Sequence, residues 1–262
     1  MASPFASSLT PDLLPSVAAR PAVVLDAVSV TYRMRGGPAD SLRAWLFGRG
    51  RSSDLIEHEA LRDVGVTIPQ GSSLGVIGSN GSGKTTFLRL ISRVLRPTSG
   101  RVRVRGRVAP LLDLVGGFHP DLSGRDNIVL NGTLLGLRRQ EVLARLDAIV
   151  DFAEIGAFID APLRTYSAGM VLRVGFAVAT DIEPDILVID EVLGVGDEHF
   201  QRKCAARIDG LRARGATFVL VSHDLQSVAR LCPRVLWLDR GRIRMMGPAA
   251  DVITAYLAES QS

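Results

Sequence analysis

The sequence predicts an α/β fold with a mainly parallel core sheet, some antiparallel β elements and an inserted helical subdomain. Three observations predict it. Short apolar runs alternate with segments of helical periodicity along most of the chain. A glycine-rich turn, Gly78 to Thr86, joins one such run to the start of a helix. Residues 123 to 181 carry helical patterns with no strand among them, so they read as a subdomain set into the sheet. At 262 residues and 47% hydrophobic content, the chain can bury one large core, or one core with a subdomain.

The elements follow in order. Met1 to Arg20 is rich in Ala, Ser and Pro and has no basic segment followed by an apolar one, so it reads as a disordered tail rather than a secretory signal. Val23 to Tyr32 is β-branched and alternates loosely, as a strand does. Residues 33–58 interrupt the pattern as an insertion. Within it, Ser41 can cap a short helix over 41–48 in which Leu42, Trp45 and Leu46 share one face. That face suits packing on its own domain, or docking at a membrane interface or on a partner. Leu61 to Ile68 and Ser73 to Ile77 read as strands joined at Pro69-Gln70-Gly71, and a helix is expected over 84–95. Strands follow at 101–105 and 107–112, then the helical block, in which Ser123 caps the first helix. Asp185 to Asp190 is a continuous apolar strand. Helix 198–214, strand 217–222 and helix 225–231 come next, then a hairpin of 235–239 with 242–246 across Arg240-Gly241. Pro248 starts the last helix, at or near its first position.

Composition excludes little but guides the rest. The net charge of +4 comes from scattered arginines and does not by itself indicate nucleic acid; an anionic membrane surface or a phosphate ligand suits it equally. Cys204 and Cys232 lack metal-ligand spacing and do not suggest a disulfide framework. No run of about 18 apolar residues is present to span a bilayer.

The glycine turn carries the chemistry. Gly78-Ser79-Asn80-Gly81-Ser82-Gly83-Lys84-Thr85-Thr86 fits the phosphate-binding loop G-x-x-x-x-G-K-[ST]. Glycines let successive N–H groups point inward at phosphate oxygens, and the helix N-terminus adds positive potential. Lys84 would reach the β- and γ-phosphates, and the Thr85 hydroxyl would ligate Mg²⁺. Lysine is otherwise almost absent, since Lys203 is the only other one, yet it stands where a compact charge among phosphates is needed. Ile186-Leu187-Val188-Ile189-Asp190-Glu191 is an apolar strand ending in two acids. Placed beside the loop strand, Asp190 would hold Mg²⁺, and Glu191 could polarise an attacking water. Tyr166-Ser167-Ala168-Gly169-Met170 opens a further helix, with Ser167 at its N-cap and Gly169 allowing close backbone approach. One nucleotide does not need two such helix ends from one chain, whereas two chains facing head to tail would use both.

These motifs together resemble the nucleotide-binding domain of ABC transporters, over about residues 22–258. On that resemblance Ser167, Ala168 and Gly169 match the signature motif, with Tyr166, Ala168 and Met170 replacing its usual Leu, Gly and Gln. His223 matches the switch histidine, Asp197 in Gly194-Val195-Gly196-Asp197 the D-loop, and Tyr32 the aromatic residue that stacks on adenine. The usual Q-loop glutamine is missing, and Asp113 aligns in its place as a candidate metal-positioning group. The domain is expected to cover 21–262, with 113–181 as the Q-loop region and helical subdomain. Phe118 to Ile128, Tyr166 to Ala179 and Asp190 to Asp197 look like one branch, the ATPases of polysaccharide exporters for O-antigen, capsule, teichoic acid or cell-wall galactan. The resemblance implies ATP and Mg²⁺ as ligands and ATP hydrolysis with Glu191 as base and His223 sensing the γ-phosphate. It implies a head-to-tail dimer with a second copy, an integral-membrane permease as partner, a lipid-linked glycan as cargo and no nucleic acid. The place implied is peripheral, on the cytoplasmic face of the plasma membrane. The alternatives are an ABC ATPase for another cargo and a soluble one acting on nucleic acid or ribosomes.

Overall fold

The computed structural model describes residues 20–35, 55–111, 114–190 and 197–260. Two sheets form the frame. Strands β1 (Pro21–Arg35), β2 (Leu55–Pro69) and β4 (Ser99–Val104) make an antiparallel sheet in the order β2-β1-β4. The other sheet has six strands in the order β5-β6-β7-β3-β8-β9. They are β3 (Ser73–Ile77), β5 (Val108–Leu111), β6 (Ile186–Asp190), β7 (Thr217–Val221), β8 (Arg234–Asp239) and β9 (Arg242–Pro248). All pairings are parallel except β8 with β9. The helices are α1 (Lys84–Ile91), α2 (Gly124–Leu134), α3 (Arg139–Ala153), α4 (Ala168–Asp181), α5 (Glu198–Ala213), α6 (Leu225–Leu231) and α7 (Ala249–Ser260).

The continuous apolar strands are explained by burial on both faces. Along β6, Ile186 and Val188 join the core that holds α1 and the small sheet, whereas Leu187 and Ile189 join the core under the remaining helices. α1 is thus sandwiched between the two sheets, with Phe87, Leu88, Leu90 and Ile91 almost wholly buried. The block after β5 is helical as expected, with Ser123 accepting the Asp126 N–H at the head of α2.

Three expectations need correction. The strand of Asp190 does not lie beside the loop strand: β7 runs between β6 and β3. Local sequence fixes which segments are strands but not their order across a sheet. β2 starts at Leu55 rather than at 61, and β1 runs on to Arg35, so the two ends of the expected 33–58 insertion are paired strand. Its polar residues hid this, since they are held by cross-strand pairs such as Arg33 with Glu57 at 2.9 Å. The helix proposed for 41–48 lies outside the described residues. α1 stops at Ile91 instead of 95, because Arg93 turns left-handed with φ 60 and its guanidinium bonds the Val104 carbonyl. Pro248 ends β9 and stands immediately before α7, next to the helix's first position as expected. Among the described residues no helix is long and apolar enough to cross a membrane.

Candidate nucleotide site

The parallel strands of the large sheet end at one level, where such sheets bind their ligands. Val76, Val221 and Asp190 are in register across β3, β7 and β6. The residues that follow in sequence are Ile77-Gly78, Ser222-His223 and Glu191. With strands about 4.8 Å apart, Asp190 stands roughly 10 Å from the loop strand, with β7 and the following His223 between them.

The loop is built from behind by its own chain. Gly78 has φ 148, and a Cβ there would lie 2.2 Å from the Leu238 carbonyl oxygen. Gly83, at φ 107, caps α1 without a side chain, and a Cβ there would lie 2.6 Å from the Ala60 oxygen. The β8–β9 turn closes the clamp: Gly241 N–H donates to the Ser82 carbonyl at 3.0 Å, and its own carbonyl accepts from Arg62 N–H at 2.7 Å. Gly81, in contrast, has φ 77 and nothing within 4 Å of where its Cβ would be. The loop is therefore tight against the protein and open outward. Lys84 is buried and donates to the Gly78 and Ser79 carbonyls at 2.7 and 2.9 Å, which places its ammonium inside the curl of the loop. The Ser82 hydroxyl is buried without a hydrogen-bond partner among the described residues. A cradle of this shape, with a buried cation and an unmet hydroxyl, fits a phosphate group.

One cleft of about 1090 Å³ gathers Tyr32, Thr85 and Asp190, together with Arg89, Arg107 and Asn131. Tyr32 comes from β1, and its hydroxyl meets the Thr86 hydroxyl at 3.4 Å. Thr85 and Asp190 are a hydroxyl and a carboxylate on one cleft, the oxygen donors that Mg²⁺ takes beside phosphates. The donor set therefore fits Mg²⁺.

The other predicted residues fall elsewhere. Ser167 caps α4, accepting the Met170 N–H at 3.2 Å, and is exposed with Ala168. Neither these two nor Gly169 lines the cleft. A Cβ on Gly169 would meet nothing nearer than its own chain's Ser167 Oγ at 3.8 Å. His223 is exposed just beyond β7. Asp197, expected at the nucleotide, caps α5: its carboxylate accepts Phe200 N–H at 2.9 Å and pairs with Arg173. These contacts, the Phe200 N–H first and Arg173 after it, hold its carboxyl below the usual range. Glu191 and Asp113 lie outside the described residues.

Several organising residues escape sequence reasoning. Asn127, wholly buried, accepts His119 N–H and donates to the carbonyls of His119, Leu122 and Ser123, shaping the turn before α2. Its signal was a polar residue four positions after a capping serine, directly before the apolar run that starts at Ile128. Arg173, on α4, ties Glu154 at 2.9 Å and Asp197 together, linking the signature helix to the head of α5. Gly175 lets the turn at Leu114 pack on α4, since a Cβ there would lie 2.5 Å from the Leu114 oxygen. Tyr166, replacing the usual leucine, donates its hydroxyl to the Phe158 carbonyl at 2.6 Å and fills the space left by Gly124. Asn127 finds its partners within 8 residues, whereas Arg173, Gly175 and Tyr166 each have a partner far along the chain.

With this geometry in place, comparison with known proteins is direct. The pattern of the ABC transporter family matches residues 61–194. The chain is 47% identical over 252 residues to the O-antigen export system ATP-binding protein RfbB of Myxococcus xanthus, covering 92% of this chain and 58% of that one. It is 44% identical over 239 residues to the protein of the same name from Klebsiella pneumoniae, covering 90% and 97%. It is 39% identical over 231 residues to the teichoic acids export ATP-binding protein TagH of Bacillus cereus, covering 88% and 41%. The chain thus spans less than two thirds of the Myxococcus and Bacillus proteins and nearly all of the Klebsiella one. In fold it is similar to a dimeric ATP-binding cassette in a post-hydrolysis state bound to ADP and Pi, with TM-score 0.66, 22% identity and coverage of 87% and 98%. It is also similar to an ATP-binding subunit of an ABC transporter, with TM-score 0.67, 20% identity and coverage of 89% and 92%.

Proposed function

Because the chain belongs to the ABC transporter family, we propose that it is the ATP-hydrolysing subunit of a transporter that exports a lipid-linked polysaccharide across the cytoplasmic membrane. The cargo class is that of its relatives, O-antigen and teichoic acid, with capsule and cell-wall galactan as close chemical variants. The observation that carries the reading is the single cleft that receives Tyr32 from β1, Thr85 from the loop–helix junction and Asp190 from the end of β6. A base, a triphosphate and its metal need those three kinds of group in one place.

Lys84 and the loop N–H groups hold the phosphates, and Thr85 and Asp190 would hold Mg²⁺, which supplies charge neutralisation across the β- and γ-phosphates. Glu191, next in sequence to Asp190, accepts a proton from the attacking water. His223, at the end of the strand between loop and acid, contacts the γ-phosphate. Ser167 and Gly169 complete the site on a second copy arranged head to tail, since they stand outside their own chain's cleft. A separate integral-membrane permease carries the cargo, with this subunit peripheral on its cytoplasmic face. Catalysis is positioning and charge stabilisation rather than covalent chemistry.

The test is Glu191→Gln in the subunit purified with its permease. ATP binding is retained while hydrolysis falls by about 10²–10⁴-fold, the size of a lost general base, and cells carrying it stop displaying the glycan. Turnover near that of the wild type removes Glu191 as base. Normal glycan display despite abolished turnover removes the export role.

A further inference from the structure

We propose that His58 forms a second wall of the nucleobase site and, with Tyr32, takes a purine base. The inference rests on the reading above, in which Tyr32 receives the base of a nucleotide held by the loop.

Tyr32 of β1 and His58 of β2 are directly opposite in the antiparallel pairing. Residues so paired project to the same face, with Cβ atoms about 4.5–5.5 Å apart. The face is identified by Tyr32, whose hydroxyl meets Thr86 Oγ1 at the head of α1. A second contact places β2 beside the loop independently. The position of a Cβ on Gly83 lies 2.6 Å from the Ala60 oxygen, and Ala60 is two residues along the strand from His58. A nucleotide with its phosphates in the loop and its base on Tyr32 therefore runs alongside β2 at His58.

The state of His58 agrees with this. Its side chain is exposed and makes no hydrogen bond or ion pair with any described residue. Its neighbours in sequence are engaged: Glu57 pairs with Arg33 at 2.9 Å and Glu59 with Arg62 at 3.0 Å. Among the described residues 57–59, the imidazole is the side chain left open, on the face that looks onto α1. Histidine rings, like tyrosine rings, stack on nucleobases. Two flat rings side by side present a surface as wide as a bicyclic purine, so the pair favours ATP over CTP.

The experiment measures equilibrium binding of ATP, CTP and inorganic tripolyphosphate to the full-length subunit and its variants His58→Ala, His58→Phe, Tyr32→Ala and Lys84→Ala. For His58→Ala the Kd for ATP is expected to rise about three- to tenfold, the size of a partial stacking loss. CTP should change less and tripolyphosphate not at all, while His58→Phe keeps ATP affinity. An ATP Kd within twofold of the wild type in His58→Ala overturns the proposal. So does an equal rise for tripolyphosphate, which would place the effect at the phosphates or in the fold. Unchanged ATP binding in Tyr32→Ala shows that the base lies elsewhere and takes the proposal with it. Wild-type binding of all three ligands by Lys84→Ala would instead remove the loop reading itself.

Discussion

Two helix N-termini in this chain look alike in sequence and are built in opposite ways. The head of α1 has a glycine cap at φ 107 with no side-chain bond, and the strand β2 and the end of β8 press on the loop from behind. The head of α4 has an extended serine cap, φ −68 and ψ 157, whose hydroxyl binds Met170 N–H, and Gly169 has no close neighbour outside its own turn. Glycine is needed at Gly83 because this chain crowds it. At Gly169 this chain leaves space, so the need for glycine arises only if something else approaches. One phosphate-ready end is finished by its own fold; the other is left open within its own chain, as the proposed head-to-tail partner requires.

A mixed dimer breaks or sharpens that contrast most strongly. Ser167→Arg and Lys84→Ala should each cut hydrolysis in the homodimer by at least about 10²-fold, the size of one lost charge-stabilising contact. Combining one subunit of each restores one complete site if α4 serves the partner's nucleotide. Turnover by the mixed dimer should then exceed that of either mutant homodimer by an order of magnitude or more. A mixed dimer as inactive as its parents counts against α4 serving the partner's nucleotide.

The glycines themselves give the next largest effect. Gly83→Ala puts a Cβ at φ 107 and 2.6 Å from a backbone oxygen, and should cost roughly 3 kcal/mol of stability, as strain and overpacking do. Gly169→Ala meets only Ser167 Oγ at 3.8 Å, so its stability should hold within about 0.5 kcal/mol, as for surface substitutions. Its ATPase activity should nevertheless fall, because the methyl occupies the space a phosphate would use. Urea unfolding and turnover measured on the same preparations separate the two. Equal destabilisation by both substitutions would mean that the head of α4 is as crowded as that of α1.

The same contrast shows what the sequence carries. The loop, the acid-tipped strand and the caps Ser123 and Ser167 are local devices, with partner atoms within a few residues, and they were legible as motifs. What holds the loop in place was not. Gly241 reaches back to Ser82 and Arg62, and Ala60 to Gly83, from segments whose spacing in the chain carries no periodic signal. The order β6-β7-β3 was hidden for the same reason, since each strand reads equally apolar whichever neighbour it takes. The contacts of Asp197 within this chain were hidden as well, since its motif points to the nucleotide, while its carboxylate caps α5 and binds Arg173. His58 attracted no motif at all: its interest comes wholly from standing opposite Tyr32.

The smallest effect concerns how the open end is held. The head of α1 is fixed by backbone atoms of two strands, whereas the residue before Ser167 reaches into the neighbouring α2 with a side chain. Tyr166 is buried, its hydroxyl donates to the Phe158 carbonyl at 2.6 Å, and a Cβ on Gly124 would lie 2.1 Å from that hydroxyl. Tyr166→Phe removes one hydrogen bond, and Phe158 keeps its bond from Ala161 N–H at 2.9 Å. The cost should be about 1 kcal/mol at pH 8, the net worth of such a bond. Burial pushes the Tyr166 hydroxyl above its ordinary value, which fixes the sign of the pH dependence. Its contribution is complete below the unfolded pKa near 10 and is lost as pH rises through the raised folded value. The gap between wild type and Tyr166→Phe should therefore narrow above about pH 10. Cys204 and Cys232, pushed up to about 12 by burial, titrate alike in both proteins and cancel from the difference. A gap that is absent at pH 8, or that stays constant through the alkaline range, would show that the hydroxyl does not hold α4 and that apolar packing of the ring does.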